Sequence, residues 1–414
     1  MVQNRDRVEH CVSLPDDAPE QVRRMCGLEA DSELRILFFG GPGDVVGTFN
    51  RWTEGHQDPR TPVIAYSSMF YTLSRKLRAK GLILTEGDIA PDTPADDFEF
   101  LYTPRKHGGG RIGYRIDEYN FCRTGRDRVK QLNPHVIIIG GDAPDALVRT
   151  LPDSARVILT VHNAFWPMGQ QPTDFRERRR LARKRRAFRR VDAAVCTSLE
   201  CAQQLEALGV RRETCFVEMP QILSQFAPDT PRAQDREAQR LVFLGRVEPE
   251  KGVFDLVSAF DRLAQDAPDV TLSIAGVGSA SADLERMITA SPFKDRITLH
   301  GLLGAEEVHA LLAQSDLLIC PTQDFEGLAL VVIEAAIHNV PSVTSSIVPA
   351  RDLFPKGSVE FPARDVEALT ECLRSVVLDR DRYRAMTCAL PALTERFLDR
   401  SQSWGSMMYK ALTV

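Results

Sequence analysis

Apolar residues first gather at position 34, where LRILFFGGPGD reads as a buried strand running into a glycine-rich turn. Strand-length apolar runs follow in LILTEG, HVIIIGGD (135–142), ARVILTVHN (155–163) and DAAVCTS (192–198). Segments of helical composition separate several of them, AYSSMFYTLSRKLRAKG among these. The stretch MPQILSQFAPDTPRAQDREAQ is polar and contains prolines, so it reads as a linker. A second series then begins: QRLVFLG (239–245), VTLSIAG (270–276), RITLHG (296–301), DLLIC (316–320) and VPSVTS (340–345). Short β-branched runs alternating with amphipathic stretches predict parallel sheets with helices on both faces. The expected organisation is α/β. A loosely attached polar extension covers 1–33, a doubly wound domain 34–218, a linker 219–238 and a second doubly wound domain 239–390. A helix-like tail, 391–414, carries Phe397, Trp404 and Tyr409 and is expected to pack back on the first domain.

Composition narrows the function classes. The 414 residues suit two or three domains, and a net charge of −5 offers no global basic field for nucleic acid. Nine cysteines, an odd number with no CxxC, read as buried thiols in a reducing compartment rather than a disulfide framework or a zinc site. The first twenty residues lack the apolar core of a signal peptide, and no apolar run approaches the roughly 20 residues that span a bilayer. A cytoplasmic protein is expected, with peripheral contact at the inner face of the membrane left open.

Chemistry concentrates at strand ends. In LGRVEPEKG a strand ends at Gly245, and Arg246 and Lys251 follow in a turn that opens a helix. Two cations beside a helix N-terminus suit a diphosphate, although a solvated loop carries the same charges. In SIAGVGS, Gly276 and Gly278 permit a tight turn or a close backbone approach to a ligand. The run PTQDFEGLALVVIEAA holds Glu326 and Glu334 eight positions apart, bracketing a stretch poor in other polar groups. A carboxylate in apolar surroundings is costly unless bonded, which favours a ligand there. In the first half, Gly40, Gly41 and Gly43 follow the first strand, Asp142 ends HVIIIGGD, and His162 ends the strand in LTVHNAF. Parallel sheets bind ligands at strand carboxyl ends, so these face the expected site.

GRVEPEKG, SIAGVGS, RITLHGLL and PTQDFEGLALVVIEAAIHNVPSVTS, in this order and spacing, resemble the donor-binding domain of retaining GT-B glycosyltransferases of family 4 (glycosyl transferases group 1). The resemblance is strong over about 239–380 and looser in the amino-terminal half. It implies two Rossmann-like domains facing a central cleft, the first on the acceptor side. It also implies transfer of a sugar from a nucleoside-diphosphate sugar to an acceptor hydroxyl, with the anomeric configuration retained. Arg246 and Lys251 would hold the diphosphate, Glu326 would touch the donor sugar and Glu334 would bond the ribose hydroxyls. The amides of Gly327, Leu328 and Ala329 would line the phosphate and sugar pocket, with Gly245, Gly276 and Gly278 beside it. Gly40, Gly41, Gly43 and Asp142 would lie on the acceptor side, and His162 would contact donor sugar or acceptor. No metal or other cofactor is implied. The chain departs from the family in three places. Ala329 stands where a second glycine is usual. SSIVPARDLF replaces a Gly-Gly-x-x-Glu loop, and EMPQILSQF replaces an Asn-Gly-Val-Asp segment.

One motif lies outside this frame. Ten of the fifteen residues from 176 to 190 are Arg or Lys. A solvated helix face accounts for them, and so does contact with an anionic membrane surface or a phosphorylated acceptor through Arg176, Arg178, Arg179, Arg180, Arg183, Lys184, Arg185 and Arg186. No aromatic interleaving points to nucleic acid. Three readings stay open: a glycosyltransferase acting on a glycan or lipid-linked acceptor in cell-surface polysaccharide or glycolipid synthesis, a nucleotide-sugar epimerase on the same fold, and a catalytically silent nucleotide-sugar-binding protein.

Overall fold

The computed structural model describes residues 7–41, 43–58, 62–87, 90–105, 110–168, 174–223, 237–324 and 326–414. The chain divides into two compact units: 1–163 with 172–224 and 399–414, and 164–171 with 225–398.

The first unit is built on a seven-stranded sheet. Its strands are β1 (Leu34–Phe39), β2 (Ala79–Thr85), β3 (Phe98–Tyr102), β4 (Val136–Gly140), β5 (Arg156–Val161), β6 (Ala193–Cys196) and β7 (Cys215–Val217). Their order is β3-β2-β1-β4-β5-β6-β7, and every pairing is parallel. The second unit carries β8 (Arg240–Leu244), β9 (Thr271–Ala275), β10 (Ile297–Gly301), β11 (Leu317–Cys320), β12 (Ser342–Ser345) and β13 (Ser358–Phe361). These form a parallel six-stranded sheet in the order β10-β9-β8-β11-β12-β13. In each unit the order reverses beside the first strand, which opens a crevice at the strand carboxyl ends. The continuous apolar runs are explained by burial on both faces: Val136–Ile139, Ala193–Cys196 and Leu317–Cys320 are all buried.

Three expected boundaries need correction. The described part of the amino-terminal extension, from residue 7, is not loosely attached. Its helix Ala18–Met25 places Arg23 where the guanidinium donates to the carbonyls of Leu77 (2.9 Å) and Arg78 (2.8 Å), and Cys11 is fully buried. Polar composition misled because Arg23 buries its stem while its head satisfies helix-end carbonyls. The tail divides at 398. Phe397 stays in the second unit, 5.7 Å from Phe354, whereas the helix Trp404–Leu412 packs on the first unit against β5, β6 and β7. Of the linker 219–238, residues 219–223 belong to the first unit, tied by Ile64 N–H to Gln221 O and Leu223 N–H to Pro62 O. Ala238 is buried in the second core, and 224–236 lie outside the described residues.

Candidate functional site

In the second unit, β8 ends at Leu244 and β9 at Ala275, and their exit loops touch. A Cβ on Gly276, whose φ is +135°, would lie 1.8 Å from Gly245 O, and one on Gly278 would lie 2.2 Å from Val247 O. Loop-to-loop packing therefore requires glycine at 276 and 278. Arg246 leaves this junction exposed (66%), with Glu250 3.9 Å away. Lys251 is held differently. It closes the turn Pro249–Lys251 before Gly252 (φ +73°), where a Cβ would meet Pro321 O at 2.0 Å. The turn thus sits on the loop after β11, where Gln323 N–H donates to Glu250 O (2.7 Å) and the Gln323 amide donates to Asp255 (2.6 Å). Lys251 Nζ lies 2.5 Å from Glu326 Oε2, and both side chains are largely buried (20% and 17% exposed).

After Glu326 the backbone reaches the helix Leu330–Ile337 through Ala329, which adopts φ +69°. A left-handed conformation costs an L-residue roughly 1–2 kcal/mol, which gives the glycine usual at this position its physical reason. Leu328 O accepts from Ala350 N–H (3.0 Å), so the segment after β12 braces this turn. The N–H groups of Leu328 and Ala329 have no partner among the described residues. On the same helix, the Glu334 carboxylate also has none, and burial pushes its pKa up to about 7. The second unit thus gathers a paired cation, two donor amides and an unpartnered carboxylate at one end of its sheet.

Exchanging Ala329 tests this backbone. Ala329→Gly changes unfolding free energy by less than about 1 kcal/mol, because relief of native strain is offset by a freer unfolded chain. Ala329→Val costs about 2 kcal/mol, since a β-branched residue resists positive φ. Urea titrations compare the two; equal effects would mean that the backbone leaves this conformation at no cost.

In the first unit, Gly41 (φ +66°) and Asp142 line a cavity of about 80 Å³ at the ends of β1, β2 and β4. Thr103 and Arg105 also line it, and each has a buried polar atom, Oγ1 and Nε, without a hydrogen bond. Gly40 donates its N–H to Leu84 O (2.9 Å), the side of Gly43 is open, and Pro42 lies outside the described residues. His162 leaves β5 with its Nε2 3.1 Å from Thr160 Oγ1 and its ring 4.4 Å from that of Tyr66. The surrounding protein lowers its pKa to about 4 although part of the residue remains exposed; Asp142 acts in the opposite direction. Tyr66 Oη donates to Glu218 Oε1 (2.6 Å). Sequence reading missed Tyr66, Thr103, Arg105 and Glu218. Of these only Glu218 had a signal, as the first polar residue after the short apolar run CFV.

The basic helix Phe175–Phe188 forms, capped by Asp174, and Arg176, Arg178, Arg179, Arg180, Arg183, Arg185 and Arg186 are exposed. Lys184 does not belong with them. It is buried, 3.3 Å from Asp145, donates to Gly141 O (3.2 Å), and lies over the Phe188 ring. Helical periodicity turns it inward together with Ala187 and Phe188.

Residues 230–389 match the family model for glycosyl transferases group 1, and 67–217 match that for Glycosyltransferase Family 4. The chain belongs to the GT-B glycosyltransferases of group 1, with one model matching in each unit. Among its relatives, a glycogen synthase of Mycobacterium tuberculosis is 35% identical over 162 residues, 37% of either chain. A GDP-mannose-dependent alpha-(1-6)-phosphatidylinositol monomannoside mannosyltransferase of Mycolicibacterium smegmatis is 31% identical over 181 residues, 40% of this chain and 47% of that one. The chain spans about half or less of the length of these relatives. Among solved structures, Anabaena Alr3699/HepE in complex with UDP aligns with a TM-score of 0.61 at 14% identity, covering 89% of this chain and 96% of that one. WaaG, a glycosyltransferase involved in lipopolysaccharide biosynthesis, aligns equally well (TM-score 0.61, 14% identity, 92% and 98% covered). The fold is GT-B.

Proposed function

We propose that the protein is a retaining, metal-independent glycosyltransferase that moves a sugar from a nucleoside-diphosphate sugar to an acceptor hydroxyl. The observation that carries this reading is the Lys251–Glu326 pair beside the free amides of Leu328 and Ala329, with unpartnered Glu334 on the helix they open. A departing diphosphate gains negative charge. Lys251, Arg246 and the two amides supply positive ends for it without reorganising, the most effective form of electrostatic catalysis. Glu334, ionised by the hydroxyls it accepts from, clamps the ribose. Glu326 holds both Lys251 and the donor sugar. Retention follows from attack on the face the diphosphate leaves, the leaving oxygen taking the acceptor's proton. His162 and Asp142 serve the sugar and acceptor side, together with Gly40, Gly41 and Gly43. The solved relative HepE with bound UDP supports a nucleotide-sugar donor. Incubation with a panel of nucleotide sugars, reading released nucleoside diphosphate, tests the reading. Release from at least one donor is expected. No release from any donor, with Glu326→Ala binding the nucleotides as wild type does, would leave a silent binding protein.

The proposed setting is cytoplasmic, at the inner face of a membrane where cell-surface polysaccharide or glycolipid is assembled. Seven exposed arginines on one helix support contact with anionic lipid, as do exposed Ile112, Tyr114, Ile116 and Tyr119 on the helix Gly110–Leu132. Among the described residues no helix is long and apolar enough to cross a membrane. Flotation with phosphatidylglycerol vesicles at low salt is expected to carry the protein upward. Replacing Arg178, Arg179 and Arg180 together by Ala weakens partitioning by about 10²-fold, at roughly 1 kcal/mol per surface cation. Unchanged flotation of that variant would remove the helix from any lipid contact.

A further inference from the structure

We infer that Thr160 and Trp404 are positioning residues that lock His162 in its Nδ1–H tautomer, so that it meets substrate as a neutral hydrogen-bond donor. The inference rests on the proposed role of His162 at the substrate.

Proton counting fixes the tautomer. Trp404 Nε1 donates to Thr160 Oγ1 at 2.9 Å, and an indole N–H only donates. Thr160 is buried, and its hydroxyl has one other partner among the described residues, His162 Nε2 at 3.1 Å. If Nε2 carried hydrogen, Thr160 would accept two N–H groups and its own buried proton would have no acceptor. That arrangement forfeits a buried hydrogen bond, which disfavours it by about fivefold or more. The hydroxyl therefore donates to a bare Nε2, and the imidazole proton sits on Nδ1. Nδ1 has no protein partner among the described residues, and the residue keeps exposed surface. A free imidazole prefers the other tautomer, so the lock works against the intrinsic bias.

The ring is braced as well as protonated selectively. Tyr66 lies 4.4 Å from it at 33°, Tyr66 is held by Glu218, and the Trp404 ring stands 5.7 Å from Tyr66. An imidazolium would require Nε2 to donate, which strands the same Thr160 proton. The lowered pKa of His162 agrees with this, the Asp142 carboxyl acting the other way and Glu218 meeting the neighbouring Tyr66. The lock reaches across the chain: Trp404 lies 244 residues from Thr160, on the helix that closes the first unit. A neutral Nδ1–H gives a hydrogen bond to a substrate oxygen and cannot take a proton at that nitrogen.

Two-bond proton–nitrogen correlation spectra of the full chain, labelled with ¹⁵N-histidine, test the assignment directly. His162 is identified by the signals that His162→Gln removes. Its Nδ1 is expected in the protonated range and Nε2 in the unprotonated range. In Thr160→Val the two nitrogens move toward averaged shifts, and Thr160→Ser restores the wild-type pattern. Trp404→Phe shifts the pattern in the same direction as Thr160→Val. An Nε2–H signature in the wild type, or an unchanged pattern in a folded Thr160→Val, overturns the lock; the wild-type spectrum decides even where the Thr160→Val exchange impairs folding. With an active donor in hand, Thr160→Val lowers kcat about tenfold and Thr160→Ser keeps it. A wild-type Nδ1–H pattern without turnover of any donor overturns the glycosyltransferase reading and leaves the tautomer lock standing.

Discussion

Lys251→Ala is expected to lower turnover of the nucleotide-sugar donor by about 10²–10³-fold, the loss typical of removing one preorganised donor to a developing anion. Two observations set this size. Lys251 is largely buried, so its charge acts with less solvent screening than that of exposed Arg246. Its Nζ is also fixed by Glu326 on one side and by a turn that packs on the Pro321 carbonyl below. Arg246→Ala is expected to cost about tenfold, because a flexible exposed side chain must be ordered before it contributes. The pair itself has a structural share, since deleting Lys251 leaves the Glu326 carboxylate without its cation in a largely buried place. Combining Lys251→Ala with Glu326→Ala separates the two. The double variant recovers stability relative to Lys251→Ala, while its activity stays low. Steady-state rates of diphosphate release and urea unfolding of the four proteins complete the cycle. Recovery of activity together with stability would reduce the pair to a structural strut.

Glu218→Gln is expected to stabilise the protein at pH 8 and to flatten its stability against pH. Burial pushes the Glu218 carboxyl from 4.5 up to about 8, against the lowering effect of the Tyr66 bond, and Oε2 has no partner. The sign follows from proton counting. Between these two values the unfolded chain has released the proton while the folded chain still holds it. Stability supplied by this group is complete below about pH 4.5 and declines as pH rises to about 8, by up to about 1.4 kcal/mol per unit. Gln keeps an acceptor for the Tyr66 hydroxyl and carries no charge to desolvate. A gain of roughly 3 kcal/mol at pH 8 and less than about 1 kcal/mol at pH 5 is expected, with the remaining slope reduced. Glu334, raised to about 7 by its own burial, contributes a second decline of the same sign from about pH 4.5 to 7, so the slope does not vanish. Parallel wild-type and variant profiles in urea titrations across pH 5–8 would mean that Glu218 is already ionised in the folded protein.

Much of the fold was legible because strands such as β4, β6 and β11 are runs of consecutive buried apolar residues, a pattern that needs no partner to be recognised, whereas β3 (FEFLY) and β13 (SVEF), which mix polar with apolar residues at the sheet edges, were not read. HVIIIGG and DLLIC announce central parallel strands by composition alone. The residues proposed to meet the donor stood out because their chemistry is packed into two short motifs. The Ala329 departure was visible too, but its meaning was not, since only the backbone angle shows that an L-residue occupies a left-handed position. Lys184 was misplaced for the opposite reason. In a run dense with arginines, composition does not say which positions turn inward, and the contact with Asp145 lies on another element.

The amino-acid sequence by itself determined two parallel α/β units, the strand ends where chemistry gathers, and the residues of the motif proposed to hold the donor. Hydrophobic period and turn residues act over a few positions, so they survive in a linear reading. The tertiary structure alone decided which groups are paired and which are left unsatisfied. Lys251 meets Glu326 across 75 positions, Trp404 reaches Thr160 across 244, and Glu218 receives Tyr66 across 152. Strand order and helix packing set those distances. Burial, which raises the Glu334 and Glu218 carboxyls, depends on everything packed around a group rather than on its neighbours in sequence.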